Sequence, residues 1–390
     1  MFVSTEMRAL LGNRNYYGSN RVLGNVTIRS DSIGDVTDYR RSLDLTTGVH
    51  TTTFVDSETS AEFTSTVFCS FPDQVCVYHL ESDSSLPTLI VGLENQLVNS
   101  TLAKSSCEDG VVVHTGVTQV GPPEGMRYTG MARLGKEKAT VQCTDASELE
   151  LSPTGKSITI ILAAETSYDQ KNGNAEANWS FKGEDPTQIV EETSSKAAKK
   201  DYKKLLKCHE KDYQKLSGAF TLELPDNDGS AEIETAALIR AYQYDSPGNS
   251  YLENLLFDLS RHMLISSSRA NSLPANLQGR WTELLKPSWG ADYHSNINIQ
   301  MNYWIADQTG LASLQHALFD YIEDTWVPRG TETARLLYNA TGWVTHNEMN
   351  TFGFTAMKDQ PSWANCKWCS YTRSNSIKLK VLQMPLLVLG

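Results

Sequence analysis

The chain has 390 residues, a hydrophobic fraction of 40%, a charged fraction of 21% and a formal net charge of −12. This length predicts two or three domains with sizeable cores. The acidic balance excludes nucleic acid or an anionic membrane as the main partner, since both are polyanions. No apolar run reaches the roughly eighteen residues of a membrane helix, so no membrane span is predicted.

Residues 1–184 read as an antiparallel β-sandwich domain. Apolar runs at 21–28, 67–80, 86–93, 111–120 and 157–166 recur between Gly, Pro, Asn and Asp punctuation, without the alternating helices of βαβ units. His79 and His114 fall inside such runs and are read as core or surface histidines rather than metal ligands.

The composition shifts at Asp185-Pro186. Proline suits the first turn of a helix, and residues 187–216 then carry apolar positions at helical spacing, so 185–228 is expected to be a helical linker containing one helix or a pair. The lysine-rich stretch 196–207 reads as a solvated face. A short strand is predicted over 220–224. From 229 to 365 the pattern is helical, with helices expected over 231–244, 250–266, 302–315, 316–326 and 331–338. Leu252, Leu255, Leu256, Leu259 and Met263 form the predicted core stripe of the second of these.

Between those helices lies the stretch 272–304. It concentrates Trp281, Trp289, Tyr293, His294, Tyr303 and Trp304 with the amides Asn276, Gln278, Asn296, Asn298 and Asn302. A buried amide must find several partners, whereas in a sugar site amides match hydroxyls and flat rings match the apolar face of a pyranose. On residues alone, a carbohydrate pocket and a well-bonded aromatic core both stand.

The motifs Leu273-Pro-Ala-Asn-Leu-Gln-Gly279, Trp289-Gly-Ala-Asp-Tyr-His294 and Asn296-Ile-Asn-Ile-Gln-Met-Asn-Tyr-Trp304 closely resemble the central signature of glycoside hydrolase family 95, the inverting α-L-fucosidases. Leu23-Gly-Asn-Val-Thr27, Tyr39-Arg-Arg-Ser-Leu-Asp-Leu45 and Phe68-Cys-Ser-Phe-Pro-Asp-Gln-Val75 resemble the family's N-terminal β-domain. Gly342-Trp-Val-Thr-His346 resembles a later motif of its catalytic domain. The likeness runs over about residues 15–365 in the family's order.

The resemblance implies a β-sandwich followed by the first part of an (α/α)6 barrel. The implied activity is hydrolysis of terminal α-1,2-linked L-fucose, with α-L-galactosidase as a near relative. It also implies that Asn296 and Asn298 position the hydrolytic water. The two asparagines are spaced i, i+2, which in an extended segment puts both on one side. His294 is expected to bind the sugar, with Trp281, Trp289, Tyr293, His346 and Asn350 as further substrate contacts. The partner would be a fucosylated oligosaccharide or polysaccharide, and no metal or organic cofactor is implied. Nothing in the sequence sets an oligomeric state.

Inversion needs a general acid opposite the activated water. In the family it lies on a helix beyond the Gly-Trp-Val-X-His segment. Residues 366–390 instead contain no acidic residue and no amphipathic pattern, and they read as an aberrant tail on a truncated chain. Glu283, Asp292 and Glu348 have no family match to the acid's role. The expectation is therefore weak hydrolysis by these residues alone, with a non-catalytic fucosylated-glycan-binding protein or an inactive fragment as the alternative.

The first residues lack the basic and apolar regions of a secretion signal, whereas Asn25, Asn99, Asn178 and Asn339 each begin an Asn-X-Ser/Thr triplet. Secretion is expected for a full-length family member. The seven cysteines are scattered and read as too few for a disulfide scaffold, and Cys366-Lys-Trp-Cys369 lacks the second pair of a zinc site.

Overall fold

The computed structural model describes residues 22–95, 101–121, 124–243, 245, 247–270, 272–277, 280, 292–295, 297–346 and 349–355. The chain divides into two compact units: residues 22–172 with 181–215, and residues 173–180 with those from 216 onward.

The first unit is an antiparallel sandwich. Its strands are β1 (Asn25–Arg29), β2 (Val36–Asp44), β3 (Val49–Asp56), β4 (Glu62–Ser70), β5 (Val75–Ser82), β6 (Leu89–Glu94), β7 (Ala103–Glu108), β8 (Val111–Val117), β9 (Arg127–Leu134), β10 (Ala139–Cys143), β11 (Leu149–Pro153) and β12 (Ser157–Thr166). They form a four-stranded sheet in the order β1-β6-β11-β10 and an eight-stranded sheet in the order β2-β3-β4-β5-β12-β9-β8-β7.

Strand periodicity explains why the larger sheet is apolar on both faces. In β12, Ile158 and Ile160 join Phe63, Leu80, Leu89, Val91, Val112, Leu149 and Leu151 in the core between the sheets. The intervening Ile161 and Ala163 point the other way, with Phe68, Val77 and Met131, and pack against Val190, Ala197 and Leu205. Successive side chains alternate faces, so a sheet covered on both sides reads as an unbroken apolar run.

The covering layer is a helix pair, α1 (Thr187–Ala198) and α2 (Tyr202–Ser217). The pair is fixed to the sheet by polar contacts as well. Tyr202 stacks on His79 with ring centroids 3.7 Å apart, and its hydroxyl meets Thr66 Oγ1 at 2.7 Å. His79 Nδ1 lies 2.9 Å from Thr159 Oγ1, which donates to Glu137 at 2.5 Å. His79 is thus a bonded histidine of the sheet–helix interface.

Two disulfides reinforce the sandwich where the sequence suggested no framework. Cys69–Cys76 bridges paired positions of β4 and β5. Cys107–Cys143 joins β7 to β10, and so ties one edge of each sheet together. The pairing was not legible because the partners of the second bridge are 36 residues apart and lie on different sheets.

In the second unit, the strand expected over 220–224 is absent: Phe220 O accepts from Arg261 and Leu224 N donates to Asn254 Oδ1, so side chains take the bonds a neighbouring strand would supply. The helix expected over 231–244 is shortened to a 3₁₀ turn at Ser230–Glu232 and α3 (Thr235–Ala241), interrupted by the extended Ile233.

The next helix, α4 (Ser250–Ser267), is capped by Asn249, whose side chain accepts from Leu252 N. Its buried face holds Arg261, Leu264, Ile265 and Ser267, whereas Leu256 and Met263 of the predicted stripe are exposed. The Arg261 guanidinium rotates the face inward by donating to four carbonyls, those of Leu216, Ser217, Phe220 and Thr309.

Helices α5 (Asn298–Asn302) and α6 (Trp304–Gln308) replace the longer helix expected from 302. The last two predicted helices are continuous: α7 (His316–Tyr321), a π turn at Ile322–Trp326 and α8 (Val327–Tyr338). Pro328 cannot donate to the preceding turn, and the wider π turn just before it accommodates that loss. Residues 173–180 join this unit through Trp179, whose ring lies 4.4 Å from the Arg329 guanidinium carbon.

Candidate active site

Three loops of the second unit are pinned together by hydrogen bonds. Leu277 N donates to Asp292 O at 2.8 Å, and Tyr293 N to Met349 O at 2.9 Å. Ser295 Oγ donates to His346 O at 2.6 Å, and Asn302 Nδ2 to Asn276 O at 3.1 Å. Tyr303 supports the first loop from beneath. Ser268 donates to Leu314 O, so the Tyr303 hydroxyl gives its proton to Ser268 at 2.7 Å and accepts from Ala275 N at 3.0 Å. Burial raises the Tyr303 pKa, which keeps that proton in place.

At the centre of this framework stands an aspartate–histidine pair. His294 Nδ1 lies 3.0 Å from both carboxylate oxygens of Asp292, and the Asp292 side chain is 1% exposed. A carboxylate there holds the proton on Nδ1 and orients the ring. His294 and Ile297 both adopt left-handed backbone, with φ of 46° and 74°. This sharp turn is closed by Ile299 N donating to His294 O at 3.1 Å. A β-branched residue is rarely found there.

Asn298 is the first residue of α5 and half-buried. The extended segment expected to place it alongside Asn296 is not formed here, because Ile297 is left-handed and α5 begins at once. Asn296 lies outside the described residues, as do Trp281 and Trp289. The Asn298 amide makes no hydrogen bond with any described residue, so it retains both donor and acceptor capacity.

The remaining candidates are committed to the framework. His346 is 1% exposed. Its Nδ1 donates to Thr355 O at 2.7 Å and its Nε2 accepts from the Tyr338 hydroxyl at 2.7 Å. With both ring nitrogens engaged, it holds the loop rather than a sugar. Burial lowers its pKa and keeps it neutral. Asn350 Oδ1 accepts from Phe352 N and Phe354 N at 3.0 and 3.1 Å, an Asx-type turn. Tyr293 is buried, with its ring centroid 4.9 Å from that of Tyr321.

Sequence reasoning weighed Asp292 only against the general acid's role, for which it has no family match, and not as the partner of His294. The two residues are spaced i, i+2 in the sequence, a separation short enough for one side chain to reach the other.

Comparisons with known proteins bear on the same residues. Residues 201–373 match the Glycosyl hydrolase family 95 catalytic domain, and residues 3–171 match the Glycosyl hydrolase family 65, N-terminal domain. The first match continues past residue 365, where the sequence reading ended the resemblance.

The chain is similar to "Probable alpha-fucosidase A" of Aspergillus niger, at 48% identity over 92% of this chain and 45% of the relative. It is also similar to "Probable alpha-fucosidase A" of Aspergillus oryzae, at 45% identity over 89% of this chain and 48% of the relative. It therefore spans under half the length of the curated relatives it matches. Among solved structures, "Putative kojibiose phosphorylase from human microbiome" aligns with a TM-score of 0.52 at 12% identity, covering 86% of this chain and 42% of that one. At that identity the likeness concerns fold alone, and it supports a sandwich followed by helices of the (α/α)6 type. The loops joined around Asp292 and His294 lie within the segment that matches the Glycosyl hydrolase family 95 catalytic domain.

Proposed function

We propose that the chain carries the fucose site of an α-L-fucosidase, one that hydrolyses terminal α-1,2-L-fucosyl linkages of oligosaccharides or polysaccharides with inversion. The observation that carries this reading is the Asp292–His294 pair beside the unengaged amide of Asn298. Asp292 fixes the imidazole so that His294 Nε2 meets a sugar hydroxyl. Asn298, with Asn296, accepts a proton of the attacking water and aims its lone pair at the anomeric carbon. An amide is too weak a base to take the proton itself, so a carboxylate must assist, and a second must protonate the leaving oxygen on the opposite face.

Asp292 is the one carboxylate among the described loop residues that form the framework, and it is engaged by His294. This favours slow turnover by the 390 residues alone, and it gives the second reading its support: binding of fucosylated glycans without cleavage. The two disulfides support folding in an oxidising compartment, as for a secreted protein.

The test is to incubate the chain with an α-1,2-fucosylated oligosaccharide and follow released fucose by proton NMR. Slow release with β-L-fucose as the first anomer supports the fucosidase reading. Binding without release supports the second, and neither binding nor release would sink both.

A further inference from the structure

We infer that Asn178 and Asn339 are N-glycosylation sites, each carrying an oligosaccharide on its side-chain nitrogen. Asn178-Trp-Ser180 and Asn339-Ala-Thr341 have the acceptor triplet, but triplets recur by chance, so the fold must discriminate. Both asparagines are exposed. Both adopt left-handed backbone at surface turns, with φ of 51° and 48°, a conformation asparagine tolerates better than most residues. Asn339 is the C-cap of α8, where its backbone N–H bonds back to Arg335 O. Asn178 sits in a turn closed by its N–H to Ala175 O and by Ser180 N–H to Ala177 O.

Neither side-chain amide is used by the fold. Asn95, Asn172, Asn254 and Asn302, which begin no triplet, all donate from Nδ2 to protein acceptors. A sugar on either of the two sites therefore displaces no hydrogen bond and enters open solvent. Asn25 also begins a triplet, but it is held extended in β1 opposite Glu94, without the turn that brings the hydroxyl residue back toward the amide. The disulfides supply the remaining condition, because oxidative folding and oligosaccharide transfer share a compartment. In the transfer, Asn Nδ2 bonds to the anomeric carbon of a lipid-diphosphate-linked oligosaccharide. The bond from that carbon to the diphosphate oxygen breaks, and the amide proton leaves with the lipid diphosphate. The inference does not depend on the fucosidase reading.

The test is to express the full chain behind a cleavable secretion leader in a eukaryotic host and to map the total expressed chain by peptide mass spectrometry. Peptide N-glycosidase digestion in heavy-oxygen water should convert Asn178 and Asn339 to labelled aspartate. Asn178→Gln and Asn339→Gln should each remove one glycan's mass. Recovery of the asparagine unmodified before digestion overturns the assignment for that residue. Occupancy is scored on chains that have lost the leader, so every chain counted has entered the compartment where transfer occurs.

Discussion

The sandwich and the helical unit place unusual backbone at very different residues. In the sandwich unit, left-handed positions fall on Asp38, Ser60, Gln74, Asp109 and Ser147, polar residues that tolerate such backbone, and on Phe181. In the helical unit they fall on Asn178, Trp179 and Asn339, and also on His294 and Ile297 inside the signature loops. A left-handed isoleucine costs about 1–2 kcal/mol, and such strain collects where a site must be held in one geometry. The same loops bury the side chain of Asn276, whose two amide atoms have no hydrogen-bond partner. In the loops around Asp292, a left-handed β-branched residue and an unpartnered buried amide thus occur within the same signature stretch.

The largest expected effect falls on the helical unit. Arg261→Ala removes the donor to four carbonyls, three of them part-buried and that of Thr309 buried, which should destabilise that unit by about 2–4 kcal/mol. Urea unfolding followed by a probe in each unit should show only the helical transition moving. A shift of the sandwich transition by an equal amount would break the distinction between the two.

Replacing Cys107 and Cys143 by serine opens a loop of 36 residues and should lower sandwich stability by about 2–4 kcal/mol. The helical transition should be unaffected, as calorimetry of the double variant can establish.

Acid should separate the units further. Burial holds His79, His114 and His209 in the sandwich unit, and His346 in the helical unit, below the ordinary imidazole value of 6.5. The unfolded chain binds protons near 6.5 that the folded chain resists. Their contribution is thus complete above 6.5 and declines as pH falls toward the lower folded-state values. With three such histidines against one, the sandwich melting temperature should fall more steeply between about pH 7 and 5.5. Equal slopes would contradict this account.

The smallest effect sharpens the comparison most. Ile297 is 44% exposed, so Ile297→Gly loses little packing and relieves the left-handed backbone. It should stabilise the helical unit by about 1 kcal/mol, and thermal melting can measure that gain. Destabilisation would mean the turn is not strained.

The legibility of the sequence followed the range of the interactions. β12 and the helix pair could be read because alternation and helical spacing are local. Periodicity held only in part on α4, where Leu252, Leu255 and Leu259 are half-buried but Leu256 and Met263 are exposed, and the buried Arg261 shares the inward face. It failed at Asn298, since one left-handed residue at 297 converts an extended alternation into a helix start. His346 and Asn350 stand in a signature motif, but only the fold could show that Thr355, Tyr338 and the backbone of Phe352 and Phe354 already occupy them.

The central claim is that the Asp292–His294 pair and Asn298 form a fucose site. Calorimetric titration of an α-1,2-fucosylated oligosaccharide into the intact chain, its Asn298→Ala variant and its Asp292→Asn variant tests it most directly. The account predicts saturable binding that is weakened at least several-fold by each substitution. Binding that both variants retain at full affinity, or no binding by the intact chain, would contradict it.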